Sequence, residues 1–317
     1  MHTTNRERAA PSKISGGMDA LDARSAATAT DPLLDDATAA LQRAERLAQV
    51  EVAELTAMPE VAAAAELWDR IWQSGSVPRL GPEMLRALTH AGNYLGGATR
   101  DGRLAGALAG FFASGGSLHL HSHILGVDPD IRSGGIGFAL KLHQRLWALE
   151  RGLSRITWTF DPLVSANAYF NVNKLGAEGV EYHANFYGVM ADAINGGDDT
   201  DRVLVSWRLD DPRVARICLG EVRPEQVVLN GAPPGPFALR IAAGGTPRID
   251  RRVVEDDSVD AMQCVLPRDI VSMRQHDADA AAAWRLAVRE VLSAAFARGL
   301  LLRGVTREGV YVLSRAC

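Results

Sequence analysis

A glycine-rich turn between a strand-like segment and a helical segment constrains the fold of this chain more than any other feature. Leu118–Leu125 has strand character, residues 127–137 read VDPDIRSGGIG, and Phe138–Glu150 is amphipathic. A strand, a glycine turn and a helix start in this order direct several backbone N–H groups and the positive end of a helix dipole towards one point. The pattern predicts an anion cradle, whose usual occupant is a pyrophosphate.

Bulk properties exclude several classes of protein. The formal net charge of −4 provides no attraction to nucleic acid or to an anionic membrane. No segment approaches the roughly 18 consecutive apolar residues that a membrane-spanning helix requires. The cysteines have neither the density of a disulfide framework nor the spacing of a zinc site: Cys218, Cys264 and Cys317. We therefore expect a cytoplasmic protein with no nucleic-acid or membrane partner.

Changes in sequence pattern divide the chain into three regions. Residues 1–30 lack apolar periodicity, which predicts a disordered leader. Residues 31–210 alternate strand and helical patterns, among them a hairpin turn at Asp101-Gly102 and a helix over Val164–Leu175. Residues 211–317 are broken by prolines before a second strand–helix–strand pattern. We predict an α/β domain followed by a C-terminal α/β extension, and whether the extension is a degenerate copy of the first unit is left open.

The glycine turn, taken with its flanks, resembles a known family motif. The spacing Arg132-x-x-Gly135-x-Gly137, after Val127-x-Pro129, resembles the acyl-CoA motif of the GNAT acetyltransferase superfamily. It is neither the dinucleotide-binding pattern nor the P-loop pattern. The resemblance covers about half of the chain. It implies a GNAT acyl-CoA N-acyltransferase fold of the α/β (α+β) class, with a mixed, mostly antiparallel sheet whose central strands splay apart.

Further segments resemble one bacterial GNAT subfamily whose members carry an extra C-terminal part. These segments are Trp158-Thr-Phe-Asp-Pro-Leu163, Asn167-Ala-Tyr-Phe-Asn171 and Lys174-Leu-Gly176. Some relatives in that subfamily are linked to N-succinylation of amino acids. The resemblance therefore implies an acyl-CoA donor, an amine acceptor and a C-terminal extension beyond the GNAT domain.

The resemblance also implies where the donor, acetyl-CoA or another acyl-CoA, would bind. Turn amides would hold its pyrophosphate, the splayed strand would pair with its pantetheine amides, and the next helix would add an asparagine and a lysine. The residues so implied are Leu125, Val127, Arg132, Ser133, Gly134, Gly135, Ile136, Gly137, Asn167, Asn171 and Lys174. The i, i+4 spacing predicts that the two asparagines share a helix face. Surface amides and a solvated lysine are the alternatives.

Three histidines on the motif strand are candidates for acid–base chemistry. His119, His121 and His123 alternate along the strand, which predicts one shared face. Imidazoles about 6–7 Å apart, at about 3.3 Å per residue, are too far apart to share one zinc ion, so we expect no metal. His121 is the preferred base: a glutamate base occupies the matching position in histone-acetylating GNAT relatives, and an imidazole pKa near ~6.5 suits neutral pH. His123 is the second candidate, and a half-solvated polar face is the alternative to both.

The leaving thiolate also needs a proton. In many GNAT enzymes a tyrosine lies two residues before the lysine that corresponds to Lys174, and here that position is Val172. Tyr169, about one helical turn earlier, is the predicted substitute. Water is the alternative proton donor.

These features predict an acyl-CoA-dependent N-acyltransferase. An acetyl or succinyl group would pass directly to the amine of a small molecule such as an amino acid, and no cysteine lies in the motifs to carry a covalent intermediate. Two alternatives stay open: a non-catalytic acyl-CoA-binding or regulatory protein, and another acyl-CoA reaction on the same fold. The acceptor, the acyl group and the formation of a homodimer are also left open.

Overall fold

A mixed sheet runs through the part of the chain that the structure describes. The computed structural model describes residues 31–72, 80–131, 134–188, 199–223, 226 and 235–315. The strands are β1 (Glu51–Glu54), β2 (Tyr94–Arg100), β3 (Arg103–Ala113), β4 (His119–Val127), β5 (Arg155–Phe160), β6 (Glu178–His183), β7 (Arg202–Arg208), β8 (Phe237–Ile241), β9 (Pro247–Ile249), β10 (Ala261–Val265), β11 (Leu301–Val305) and β12 (Val310–Ser314). The helices are α1 (Pro32–Ala48), α2 (Met58–Trp72), α3 (Pro82–His90), α4 (Ile136–Glu150), α5 (Ser165–Ala168), α6 (Pro212–Cys218), α7 (Arg251–Glu255), α8 (Ile270–His276) and α9 (Ala278–Ala297). A π-helical turn, Tyr169–Lys174, follows α5 directly, and a 3-10 turn, Ala243–Gly245, follows β8.

Neighbouring strands in the first half are antiparallel except at one pair. The sheet order is β1-β2-β3-β4-β5-β7-β6-β11-β12-β10-β8-β9. Strands β1 to β4 are antiparallel neighbours, β4 and β5 are parallel, and β5, β7 and β6 are antiparallel again. This arrangement confirms the predicted α/β class with a mixed, mostly antiparallel sheet.

The two central strands, β4 and β5, separate after a short contact. They pair at only two positions, Leu120 with Ile156 and His121 with Thr157. Strand β4 nevertheless pairs with β3 along its whole length, as far as Val127. Among the described residues, the edge of β4 that faces β5 therefore has no strand partner beyond His121. The predicted splay is confirmed, and it opens a V-shaped gap between the strands.

Helices cover both faces of the first half and fix the position of β4. On one face α1 packs against α4, and Leu140 of α4 belongs to the larger apolar core. On the other face α2 and α3 build a second core that contains Trp68 and Leu85, both buried. A Cβ added at Gly126 would lie 2.7 Å from the Trp68 ring. Glycine at this position lets α2 approach β4 closely.

The second half of the sheet repeats the strand pattern of the first. Strands β8 and β10 are parallel and pair at two positions, and β10, β12 and β11 are antiparallel. The same succession of one parallel and two antiparallel pairs runs through β4, β5, β7 and β6. The halves meet where Leu302 of β11 pairs with Gly179 of β6. The described residues from Pro32 onwards form one compact unit, and the domain boundary at residue 211 stays a prediction.

Side chains also tie the two halves together. The Asn173 carboxamide donates to the Val305 carbonyl at 2.8 Å and accepts from the Val305 N–H at 3.0 Å. Asp161, just after β5, pairs with Arg274 of α8 at 2.6 Å and with Arg285 of α9 at 2.8 Å. Both arginine side chains are almost completely buried. The C-terminal extension is therefore packed against the carboxyl end of β5.

Candidate active site

The amino end of α4 forms a cradle of backbone amides. Gly135 precedes the helix with φ of 110°, a left-handed conformation that favours glycine. The first intrahelical bond runs from the Ala139 N–H to the Gly135 carbonyl at 2.9 Å, so the amides of residues 136–138 precede the helical ladder. Within the described part of the chain, no side chain caps this end, and its first turn carries no acidic residue. These groups therefore leave the partial positive charge of the helix end uncompensated, which suits an anion.

The predicted donor residues come together around this helix end. A Cβ at Gly137 would lie 3.4 Å from Leu125 and 3.9 Å from Val127, so the splayed end of β4 lies beneath the first turn of α4. Gly134 is exposed, and the side chain of Ile136 is buried in the core, which leaves its backbone amide at the cradle. Two predicted members of the cradle lie outside the described residues: Arg132 and Ser133.

His121 lies at the last paired position of β4 and β5. Its Nδ1 is 3.2 Å from the Thr157 hydroxyl, and its ring centroid is 5.2 Å from that of Phe111. Burial above all, with a smaller contribution from His123, lowers the pKa of His121 to about 4. The expectation of an ordinary imidazole pKa is therefore wrong. At neutral pH the ring is uncharged and has one nitrogen lone pair to accept a proton.

A β-bulge at His123 interrupts the alternation predicted for the three histidines. In the register of β3 with β4, Ala109 pairs with Ile124 and Gly110 pairs with Ser122, so that His123 is skipped. A bulge of this kind redirects the side chains around it. The His123 ring still lies 6.5 Å from that of the preceding histidine. In the residues that the structure describes, no group of His, Cys, Asp or Glu side chains is arranged to hold a metal ion.

The helix predicted over Val164–Leu175 is instead the four-residue α5 followed by the π turn. The wider hydrogen-bond spacing of a π turn rotates the two asparagines apart. Asn167 is exposed, whereas Asn171 is only 4% exposed and accepts a hydrogen bond from Trp158 Nε1 at 3.1 Å. The prediction that both asparagines share one helix face is therefore wrong.

Tyr169 and Lys174 line a pocket of about 690 Å³ beside the π turn. Part of the pocket wall comes from the turn between β11 and β12, through Thr306, Arg307 and Gly309. Tyr169 is half-buried, and its ring packs against the larger apolar core. The C-terminal extension therefore lines the same pocket as Tyr169, the predicted proton donor, and Lys174, a predicted acyl-CoA contact.

Sequence reasoning missed Lys141, a buried lysine on α4. Its side chain is 4% exposed, its Nζ donates to the Ser122 hydroxyl at 2.8 Å, and Nζ lies 3.7 Å from the centroid of the Trp158 ring. Burial lowers the pKa of Lys141 well below the ordinary lysine value. One signal was available: Lys141 follows Gly137 by four residues and so shares its helix face.

Comparison with known families agrees with this geometry. Residues 61–176 match the acetyltransferase (GNAT) family. The matched segment includes the splayed strands, the amide cradle and the π turn. Residues 61–176 are therefore similar to a GNAT acetyltransferase domain over less than half of the chain, as the sequence predicted. This match agrees with the predicted class, an acyl-CoA N-acetyltransferase with acetyl-CoA as its co-substrate.

Solved structures of similar shape also include acetyltransferases. The ribosomal-protein-S18-alanine N-acetyltransferase from Escherichia coli is 15% identical, with a TM-score of 0.41 over 51% of this chain and 95% of that one. The N-acetyltransferase from Staphylococcus aureus Mu50 is 13% identical, with a TM-score of 0.42 over 51% and 99%. The aminoglycoside 6'-N-acetyltransferase from Enterococcus faecium is 15% identical, with a TM-score of 0.40 over 51% and 98%. No curated protein matches the sequence.

The GNAT domain departs from the family pattern at the proton donor. Val172 stands where many GNAT enzymes have a tyrosine, and its side chain is completely buried in the core. Valine has no proton to donate. The role of Tyr169 as a substitute stays a prediction, as do the roles of Asn167, Asn171 and Lys174 at the donor.

Proposed function

We propose that the protein transfers an acetyl or succinyl group from acyl-CoA directly to the amine of a small molecule such as an amino acid. The observation that carries the proposal is the gap between β4 and β5, which pair at only two positions. One wall of the gap is the free edge of β4, and the amide cradle of α4 stands above it. A chain of amides can pair with that edge while an anion occupies the cradle.

The donor would be held mostly by backbone groups. The pyrophosphate would lie at Gly134–Gly137, and the pantetheine amides would pair with β4 near Leu125 and Val127. A helix end stabilises an exposed negative charge by about 0.3–1 kcal/mol, and by up to about 2 kcal/mol in a partly buried site. Glycines at the cradle let the backbone approach the diphosphate without a Cβ in the way.

The chemistry proposed is a direct attack of the acceptor amine on the thioester carbonyl. The nitrogen becomes positively charged as it bonds to carbon, and it must lose a proton before the amide is complete. His121 is the group proposed to accept that proton, because its ring is neutral at pH 7 and lies at the closed end of the gap. His123 stays the second candidate for the base, since its ring centroid lies 6.5 Å from that of His121.

An amino-acid acceptor is supported by Arg155 at the start of β5. This arginine is two residues before Thr157, and so shares the strand face of His121. Its guanidinium contacts the Ser117 hydroxyl and His119 Nδ1, both at 3.3 Å. Its Nε is buried and, within the described part of the chain, makes no hydrogen bond. A carboxylate on the acceptor would pair with the guanidinium, which contacts only neutral groups among the described residues.

Substitution of Arg155 tests that assignment. Arg155→Gln removes a charged hydrogen-bond donor, and we expect the KM for an amino-acid acceptor to rise about tenfold or more. The corresponding decarboxylated amine is the matched control, and its KM should stay within threefold. Equal effects on both substrates would contradict a carboxylate contact.

A donor and acceptor panel tests the proposed reaction itself. The protein is incubated with acetyl-CoA or succinyl-CoA and with amino acids, amino sugars and peptides, while thiol release and product mass are followed. The expected result is an N-acyl product of one acceptor class with one equivalent of free CoA. Binding of CoA without turnover across the panel would support a non-catalytic protein. An altered acyl product in the absence of any amine would support a different acyl-CoA reaction.

A cytoplasmic location is proposed together with this activity. Cys218 and Cys264 are free and buried, as expected for thiols in a reducing compartment. None of the helices in the described ranges is long and apolar enough to cross a membrane. A homodimer stays a prediction, and analytical ultracentrifugation of the purified protein measures it.

A further inference from the structure

The buried amine of Lys141 lies at the base of the gap between β4 and β5. His121 and Thr157 form the last pair of these strands. Ser122 and Trp158 are therefore the first residue on each strand beyond that pair. The Lys141 Nζ donates to the Ser122 hydroxyl at 2.8 Å and lies 3.7 Å from the Trp158 ring centroid. It bridges the two strands at the point where they begin to separate.

Lys141 and His121 approach this point from opposite faces of the sheet. Ser122 and Trp158 each follow a residue of the last pair, and successive side chains on a strand point to opposite faces. Lys141 belongs to α4, the helix whose amino end forms the amide cradle. An acyl-CoA donor that occupies the cradle and the gap would therefore meet Lys141 on the sheet face that α4 covers, and His121 on the opposite face.

We propose that Lys141 is a catalytic residue that donates a proton to the sulfur of the departing CoA. The proposal rests on the proposed function, because it places the thioester in the gap between β4 and β5. It assigns to α4 the task that a tyrosine at position 172 performs in many GNAT enzymes. Val172 is completely buried and has no polar atom in its side chain.

The proposed proton transfer accompanies the attack of the amine and the loss of CoA. The acceptor amine forms a C–N bond to the carbonyl carbon, and the C–S bond of the tetrahedral intermediate breaks. The Lys141 ammonium gives one proton to the thiolate, which leaves as CoA thiol. The proton lost by the attacking nitrogen goes to His121 and then to water. Lys141 regains a proton from water before the next turnover.

The environment of Lys141 suits a proton donor to sulfur. An ordinary lysine pKa of about 10.4 exceeds a thiol pKa of about 8.5, so donation from a solvated lysine is unfavourable. Burial lowers the pKa of Lys141 well below the ordinary value, which narrows or removes that difference. Acid catalysis is most efficient when the donor pKa lies near the working pH.

Among the described residues, the groups that face Lys141 carry no negative charge. Strand β4 contributes His121, which is neutral at pH 7, and β5 contributes the uncharged Trp158 ring. Behind that ring the π turn contributes Asn171, also uncharged. Along α4, Arg145 is directed away, to the Leu209 carbonyl at 2.7 Å. Asp36 of α1 acts on Arg145 rather than on Lys141.

Titration of bound CoA tests the contact without any turnover. The thiol pKa of CoA bound to the whole protein is measured from the ultraviolet absorbance of the thiolate. Lys141 beside the sulfur would couple the titrations of the two groups, so we expect the thiol bound to the wild type to titrate at least one pH unit away from the thiol bound to Lys141→Met. CoA should still bind Lys141→Met, as measured by calorimetry. The same thiol pKa in the wild type and in Lys141→Met would overturn the proposal.

Turnover gives a second, independent readout. Hydroxylamine serves as the acceptor, and thiol release is corrected for the reaction without protein. Lys141→Met should lower kcat by about 10²-fold or more, with little change in the KM for acetyl-CoA, because general acid catalysis contributes about 10²–10⁴. Lys141→Arg keeps the charge but holds its proton too tightly to donate it, so its kcat should stay low. Recovery in Lys141→Arg would show a charge effect only and overturn the donor role.

Tyr169→Phe is the comparator, and it decides between the two proton donors. The wild-type rate should fall as the pH rises through the pKa of Lys141, and this alkaline fall should be retained in Tyr169→Phe and absent in Lys141→Met. The reverse pattern would overturn the proposal.

Methionine matches the lysine stem in length, so the thermal midpoint of Lys141→Met should not fall. If CoA does not bind the wild type at all, the proposed function fails first; if it binds and Lys141→Met is unaffected, the Lys141 assignment fails alone.

Discussion

At the scale of single residues, burial changes what a side chain can do. His121 and Lys141 lie on opposite faces of the same gap, and burial is the largest cause that lowers the pKa of each. In the described part of the chain, no carboxylate contacts either group to offset that cost. A neutral imidazole and a weakly basic amine are a suitable pair for moving protons during acyl transfer.

Removal of the His121 imidazole tests its proposed role. His121→Ala should lower kcat/KM by about 10²–10⁴, the usual contribution of a general base. Because the pKa of His121 is about 4, the wild-type activity should fall on the acid side near that pH rather than near 6.5. This acid fall should be absent in the variant. The exposed His276 on α8 provides the control, His276→Ala, and an effect of His121→Ala below threefold would remove His121 from the role.

At the scale of elements, the two glycines before α4 differ in backbone strain. Gly135 has φ of 110°, so any side chain there is strained whether or not CoA is present. Gly134 has no such constraint, and a Cβ added there meets nothing within 4 Å among the described atoms. The neighbouring glycines therefore allow folding and anion binding to be tested separately.

A carboxylate at position 134 should compete with the donor. Gly134→Glu places a negative charge at the amide cradle, and we expect the CoA-induced rise in thermal midpoint to disappear while the far-ultraviolet circular dichroism stays unchanged. Gly134→Ala is the control without charge and should retain the CoA-induced rise. An unchanged rise in Gly134→Glu would contradict a pyrophosphate at this helix end.

At the scale of the whole molecule, two sheet halves share one ion cluster. Asp161 follows β5 in the first half, and its partners Arg274 and Arg285 belong to α8 and α9 in the second. Burial alone would raise the pKa of Asp161, but the hydrogen bonds and charges of Arg285 and Arg274 outweigh it, and the net pKa lies below the ordinary value. The cluster therefore stabilises the packing of the extension on the GNAT domain as long as Asp161 is ionised.

Loss of the Asp161 charge should destabilise the fold. Asp161→Asn leaves two buried arginines without their carboxylate, and removal of one partner of a buried ion pair costs about 3–5 kcal/mol in the free energy of unfolding. Because the folded pKa is lowered, this stabilisation is complete above pH ~4 and is lost as the pH falls through the folded pKa. Chemical denaturation should therefore show the difference at pH 7 and its decrease in acid. Asp257→Asn, at an exposed ion pair, is the control and should change stability by less than about 1 kcal/mol; equal losses would contradict the cluster.

Much of the first half could be predicted because its signals are local. The hairpin turn at Asp101-Gly102 has positive φ at both residues, 51° and 73°, as its sequence predicted. The helix predicted after the glycine turn is α4, and its glycine spacing identified the donor site. These features depend on residues within one or two turns of each other, so a single sequence contains the necessary information.

Other features of the site depend on contacts between distant segments and could not be predicted. Asp161 is 113 residues from Arg274 and 124 from Arg285, and their meeting depends on the pairing of β6 with β11. The π turn that buries Asn171, and the splay that puts Lys141 between two strands, likewise follow from packing rather than from local pattern. Local sequence patterns were enough for the family motif and the local elements, because near neighbours encode turns and periodicity. The groups that are buried at the gap follow from tertiary packing, because strand order brings those residues together and strand order is not a local property.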